Sequence, residues 1–138
     1  MSDSSKRIQA IEPMYEQARQ AAGRAYAPYS QFPVGAALKL KDGTMLQGCN
    51  VENASFGLCN CAERTVIFSA IAQGKLACDF DSLLIYMPGD SLYSPCGACR
   101  QVIVEFFAAD ALIYATCDTE QMKVWRVDAL LPGVFKLP

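Results

Sequence analysis

A three-layer α/β/α protein, with a mixed sheet of about five strands covered by helices on both faces, is the fold class that the 138-residue sequence predicts. Three observations predict it. Apolar residues recur at helical spacing near the N-terminus and in two later segments. Short aliphatic and β-branched runs stand between those segments. In the middle of the chain strands alternate with helices, which favours parallel pairing by crossover. At this length one domain spanning residues 1–138 is expected, and 52% apolar residues suffice for a continuous core.

The first helix is predicted from Arg7 to about Tyr26, because Ile8, Ile11, Met14-Tyr15, Ala18, Ala21-Ala22 and Ala25 recur at steps of three and four. Pro13 lacks an amide hydrogen, so the regular helix is expected to start near it. Ala27-Pro28-Tyr29-Ser30 opens a loop. Val34–Leu40 reads as a strand, Lys41-Asp42-Gly43-Thr44 as a turn and Met45–Asn50 as the returning strand of a hairpin. A loop through Asn53, Ser55 and Gly57 leads to a helix over Cys61–Gln73. Its apolar face is Val66, Ile67, Ala70 and Ile71, with Gly74 as its stop. Ser82–Met87 reads as a buried strand broken by Pro88-Gly89-Asp90. A helix begins near Cys96 and buries Val102, Ile103, Phe106 and Phe107. Ala111–Ala115 and Met122–Val127 are the last two strands.

Composition excludes several function classes. No apolar run approaches the roughly 20 residues that span a bilayer, and the polar start Met1–Lys6 predicts no signal peptide. The net charge is −2, and Lys39 and Lys41, the nearest approach to a basic cluster, flank the hairpin turn as a solvated end. Neither a nucleic-acid partner nor a membrane is therefore expected. An odd number of cysteines, seven, without a secretory signal points to a reducing, cytoplasmic setting. Cys49, Cys78 and Cys117 stand alone and read as small buried hydrophobes.

The same chain has no histidine. Any hydrolytic chemistry near neutral pH must then use thiolates and carboxylates, with or without a metal. Cys96-Gly97-Ala98-Cys99 opens a helix, where the positive end of the dipole favours thiolate and the spacing lets two sulfurs reach one ion. Cys61 opens the other helix. Three ligands leave a position for water, as catalytic zinc sites do; Cys59 could in principle add a fourth and close the site as a structural one. Three thiolates leave zinc with a net negative core, a weak Lewis acid unless positive charge is returned to it. Two helix N-termini and Arg64, three residues after Cys61, can return it. Glu63, in the first turn of its helix, can stand beside the metal and move protons.

Cys61-Ala62-Glu63 with Pro95-Cys96-Gly97-Ala98-Cys99 resembles the signature of the zinc-dependent cytidine deaminase family in its all-cysteine form. Phe32-Pro33-Val34-Gly35-Ala36-Ala37, Asn50-Val51-Glu52-Asn53-Ala54-Ser55 and Leu130-Leu131-Pro132-Gly133 with Phe135 are similar to the family's first strand, nucleoside-binding segment and C-terminal closure. The resemblance covers nearly the whole chain and implies a cytidine deaminase-like fold of the small homotetrameric type. It implies one zinc ion per chain on Cys61, Cys96 and Cys99, with Glu63 shuttling protons. The Ala62 amide would hold the pyrimidine carbonyl, Phe32 would pack on the base, and Asn50 and Glu52 would bind the ribose hydroxyls. Ala54, Phe56 and Phe135 would reach a neighbouring subunit's site. Position 56 is Phe where the family commonly has Tyr, position 59 is Cys where it often has Thr, and the longer family tail is expected to be absent. The substrates implied are cytidine and 2′-deoxycytidine, in pyrimidine salvage.

Two alternatives come from other classes. A thiol–disulfide redox protein would use Cys96 and Cys99 and leave Cys61 and Glu63 without a role. A structural zinc module would need Cys59 as a ligand.

Overall fold

The computed structural model describes residues 3–138, without the side chains of residues 3–8 and 10. The polar start at Met1 and Ser2 and the apolar role read for Ile8 lie outside the described residues. The elements in chain order are α1 (Asp3–Ala22), β1 (Gly35–Leu40), β2 (Met45–Cys49), α2 (Ala62–Ala72), β3 (Phe80–Tyr86), α3 (Gly97–Phe106), β4 (Leu112–Thr116), β5 (Met122–Arg126) and the short α4 (Val127–Leu130).

The helix α1 passes through Pro13 instead of starting at it. Pro13 and Gln9 are both exposed. The carbonyl that Pro13 cannot serve therefore belongs to a turn facing water, where the loss is least costly. Ile11, Met14, Ala18 and Ala22 hold the other side of the helix to the sheet. At its far end the chain tightens into i→i+3 bonds (Gly23 to Gln20, Arg24 to Ala21), so the helix stops at Ala22, short of Tyr26.

The sheet order is β2-β1-β3-β4-β5. Strand β1 is antiparallel to both β2 and β3, β3 is parallel to β4, and β4 is antiparallel to β5. Among the named strands the expected parallel pairing is thus confined to β3 and β4. Strands β2 and β3 nevertheless run in one direction, because each opposes β1. Helix α2 crosses over β1 to join them, and α3 joins β3 to β4. Both helices therefore begin at the same end of the sheet.

Alternation along the strands divides the core. Ala36, Leu38, Leu83 and Ile85 face Val66, Ile67 and Ala70 of α2 and Ile103 of α3. Ala37, Leu84 and Tyr86 face α1. Helices on both faces are what the sequence predicts. Burial of each large aliphatic side chain contributes about 1.5–3 kcal/mol. Two expectations about burial fail. Ile71 is 40% exposed on the outer side of α2. Among the isolated cysteines only Cys117 is buried: Cys49 is half-buried at the edge strand and Cys78 is exposed in the turn before β3.

Two glycines set how closely the helices approach. A Cβ on Gly35 would lie 1.8 Å from the Ala18 carbonyl oxygen of α1. One on Gly48 would lie 2.6 Å from the Val66 nitrogen and 2.9 Å from the Ala62 oxygen of α2. Among the described residues no helix is long and apolar enough to cross a membrane.

Candidate metal centre

Because β2 and β3 end on the same side, the loops that leave them deliver Cys61 and Cys96 to one place. Each is the residue that precedes its helix: Cys61 caps α2 and Cys96 caps α3, with extended backbone at both. Cys99 follows in the first turn of α3. The three sulfurs all lie within 4.8 Å of one another, and Cys61 Sγ is 3.9 Å from Cys96 Sγ. A tetrahedral ion with Zn–S bonds of about 2.3 Å holds its sulfurs about 3.8 Å apart. The donor set therefore fits one zinc ion in type, number and spacing.

The surroundings favour thiolate. The Cys99 amide donates to Cys96 Sγ at 3.4 Å. Arg64 Nη2 donates to Cys61 Sγ at 3.4 Å, which is the contact the sequence suggested for it. The hydrogen bond from Cys99, aided by Arg64, pulls the Cys61 thiol down to about 5 against the opposing effect of burial. Cys99, the donor in that pair, is pushed up. Arg64 is anchored by one end only, since its buried Nε has no partner among the described residues.

Glu63 is 6% exposed. Burial, and next the negative charge of Cys61, raise its carboxyl above the ordinary value. It shares with Cys61 and Cys96 a hollow of about 190 Å³, also lined by Phe32, Val34, Ile85, Met87 and Tyr93. Larger hollows elsewhere, such as that of about 600 Å³ beside Lys41 and Lys75, contain no cluster of metal-binding groups among the described residues. The Ala62 amide is at the first position of α2, where no carbonyl of the helix can accept from it.

Asn50 and Glu52 are placed differently from the simple picture of two side chains turned to a diol. Asn50 forks onto the backbone before β1, accepting from the Val34 amide at 2.9 Å and donating to the Phe32 carbonyl at 3.0 Å. Glu52 Oε1 accepts from the Tyr29 and Ser30 amides at 2.9 and 3.1 Å. Together they fasten residues 29–34, including Gln31 in the left-handed region at φ 54°, and so fix Phe32 at the hollow. Neither lines the hollow itself.

Ala54, Phe56 and Phe135 are exposed and stand outside this hollow; Phe56 is 72% and Phe135 68% exposed. Cys59 is not in the sulfur cluster. The Asn53 amide donates to its Sγ at 3.3 Å, and the thiol in turn meets the Asn53 carbonyl at 3.6 Å. Closure of the site by a fourth thiolate, which the structural-module alternative requires, does not occur. Sequence reasoning missed Tyr93, although an aromatic residue three positions before Cys96 was the available signal. It also missed Arg100, which donates to the Pro95 and Leu130 carbonyls at 2.9 and 2.8 Å and ties the Cys96 loop to the C-terminal segment.

Three sulfurs with no fourth protein donor among the described residues, and a buried carboxyl beside them, belong to the class of zinc proteins that leave a coordination position for chemistry. Residues 8–116 match the family model for the cytidine and deoxycytidylate deaminase zinc-binding region, and the chain belongs to that family. A cytidine deaminase from Sporosarcina psychrophila is 42% identical over 125 residues, covering 91% of this chain and 90% of the relative. The crystal structure of cytidine deaminase from Burkholderia pseudomallei superposes with a TM-score of 0.86 at 44% identity, covering 90% of this chain and 98% of that one. The Mycobacterium tuberculosis enzyme gives a TM-score of 0.76 at 38% identity over 91% and 97% of the two chains.

Proposed function

We propose that this protein catalyses the zinc-dependent hydrolytic deamination of cytidine and 2′-deoxycytidine, releasing uridine or 2′-deoxyuridine and ammonia. The observation that carries the reading is the buried Glu63 carboxyl at a hollow shared with the open three-sulfur cluster. Cys61, Cys96 and Cys99 hold the zinc ion. When bound, the ion supplies Lewis-acid activation of water as a nucleophile at neutral pH. Glu63 takes one proton from water and delivers it to N3 as oxygen bonds to C4, then takes the second proton from that oxygen and passes it to the amino group, so that C4 becomes a carbonyl as the C4–N bond breaks and ammonia leaves. A carboxyl with a raised pKa suits both directions of transfer, and such general acid–base work contributes about 10²–10⁴-fold. Arg64 returns positive charge to the thiolates. The Ala62 amide holds the pyrimidine carbonyl, and Phe32 packs on the base. Asn50 and Glu52, already fastening residues 29–34, bind the ribose hydroxyls with the donor and acceptor capacity that those bonds leave.

The working form is a homotetramer with sites shared between subunits, acting in pyrimidine salvage in the cytoplasm. Support for assembly comes from exposed apolar groups around the site loops. Tyr29 meets Phe56 edge to face with centroids 5.9 Å apart, and Leu58, Phe135 and Leu137 are exposed. In the tetramer Ala54, Phe56 and Phe135 reach a neighbour's ligand. Free nucleosides fit better than nucleotides, since no basic cluster awaits a phosphate. The test is loss of the cytosine ultraviolet band with cytosine, cytidine, deoxycytidine, cytidine monophosphate and adenosine compared side by side. Turnover of the two pyrimidine nucleosides is expected; turnover of none of the five contradicts the reading.

A further inference from the structure

Tyr93 lines the hollow over the sulfur cluster, and the deamination reading gives it no role. Its ring meets the Phe32 ring edge to face, with centroids 6.1 Å apart and planes at 82°. This is a favoured packing of two aromatic rings, so each helps to hold the other. The segment behind Tyr93 is fixed as well. Its amide lies 3.2 Å from Met87 Sδ. Two residues further on, Pro95 is buried and its carbonyl accepts from Arg100 Nε at 2.9 Å.

The hollow is divided by chemistry. Cys61, Glu63, Ser94 and Cys96 supply its polar lining, and Phe32, Val34, Ile85, Met87, Tyr93 and Pro95 its apolar lining. A cytosine ring is divided in the same way: N3, the amine and the carbonyl are polar, whereas C5 and C6 are apolar. N3 must meet Glu63 to receive its proton, so C5 lies on the far side of C4 from Glu63. The lining includes the consecutive residues Tyr93, Ser94, Pro95 and Cys96, which come from a different segment than Glu63. At about 190 Å³ the hollow is smaller than the ~300–1,000 Å³ usual for small-molecule sites. An added group on the base must therefore find its room at a wall.

We propose that Tyr93 determines specificity at pyrimidine C5: its ring restricts the substituent carried there and favours unsubstituted cytidine over 5-alkylated cytidines. The inference rests on the deamination reading. The outer side of Tyr93 is exposed, so shortening it opens the hollow without leaving a void in the core.

The test compares kcat/KM for cytidine and 5-methylcytidine in the zinc-loaded parent, Tyr93→Leu and Tyr93→Ala. Calorimetric Kd values for the products uridine and 5-methyluridine are measured on the same samples. One methyl group against an apolar wall is worth roughly 10–200-fold in discrimination. The 5-methylcytidine-to-cytidine ratio is expected to rise about tenfold or more in the shortened variants, with the product affinities shifting in the same sense. If one variant does not fold, the other decides, and Tyr93→Trp should lower the ratio. A ratio within twofold of the parent in the folded variants overturns the proposal while leaving deamination standing. A parent that turns over neither nucleoside removes the deamination reading and this inference with it.

Discussion

Replacing Gly48 by alanine should damage catalysis from within the sheet. The new Cβ would lie 2.6 Å from the Val66 nitrogen, 2.7 Å from the Val66 Cβ and 2.9 Å from the Ala62 oxygen. Carbon atoms in contact prefer about 3.5–4.0 Å, so α2 must retreat by roughly 1 Å. The atoms that object are backbone and a β-branched side chain, which no rotamer change removes. Overpacking of this kind costs about 1–3 kcal/mol, or a loss of several °C in Tm for a domain of this size. The helix that retreats carries Ala62 and Glu63, while Cys96 and Cys99 stay with α3. A displacement of about 1 Å between reacting groups costs on the order of 100-fold in rate. Thermal melts, zinc content and kcat/KM for cytidine on the same preparation check this. Parent-like Tm together with parent-like kcat/KM would refute the reasoning, since it would mean that β2 and α2 are not in the close contact described.

Other outcomes follow from the same geometry. Arg64→Gln should keep the fold and lower kcat/KM by about 10–100-fold, as loss of a partner behind a metal ligand does; a fully active variant removes Arg64 from the account. Cys59→Ser should retain about one zinc ion per chain by elemental analysis, because Cys59 pairs with Asn53 and stands outside the sulfur cluster; loss of the metal would restore the four-ligand alternative. The Tyr86 hydroxyl, and next the Gly89 amide, hold the Asp118 carboxyl below its ordinary 3.8. A group depressed in the folded state stabilises above its unfolded pKa, and that stability disappears as pH falls through the folded value. The Tm gap between the parent and Asp118→Asn should therefore be constant above about pH 5 and shrink below about pH 4; a gap that widens on acidification contradicts the assignment.

The elements carried by local pattern were readable from sequence. The hairpin was announced by Asp42-Gly43 between two apolar runs, and Cys96-x-x-Cys99 placed two sulfurs on one helical turn. The meeting of those sulfurs with Cys61 depended on a longer-range fact, that β2 and β3 run the same way with β1 between them. Features decided by tertiary contact were not readable. Pro13 looks like a helix start until the exposed side on which it falls is known. Gly35 and Gly48 look like weak strand residues until the helix backbones behind them are seen. Ile71 fits the apolar period of α2, yet the helix turns it outward. Asn50 and Glu52 offer the right chemistry for a diol, but their bonds to residues 29–34 are set by how the loop folds back before β1. Tyr93 carried no periodic signal at all.

The role of one side chain tests the account most directly. Glu63→Gln keeps the size of the group, removes its ability to move protons and leaves the three sulfurs in place. Turnover of cytidine by the zinc-loaded variant should fall by at least about 100-fold, with zinc still bound at about one ion per chain. A variant that deaminates cytidine at the parent rate would contradict the central claim that this buried carboxyl carries the protons of the reaction.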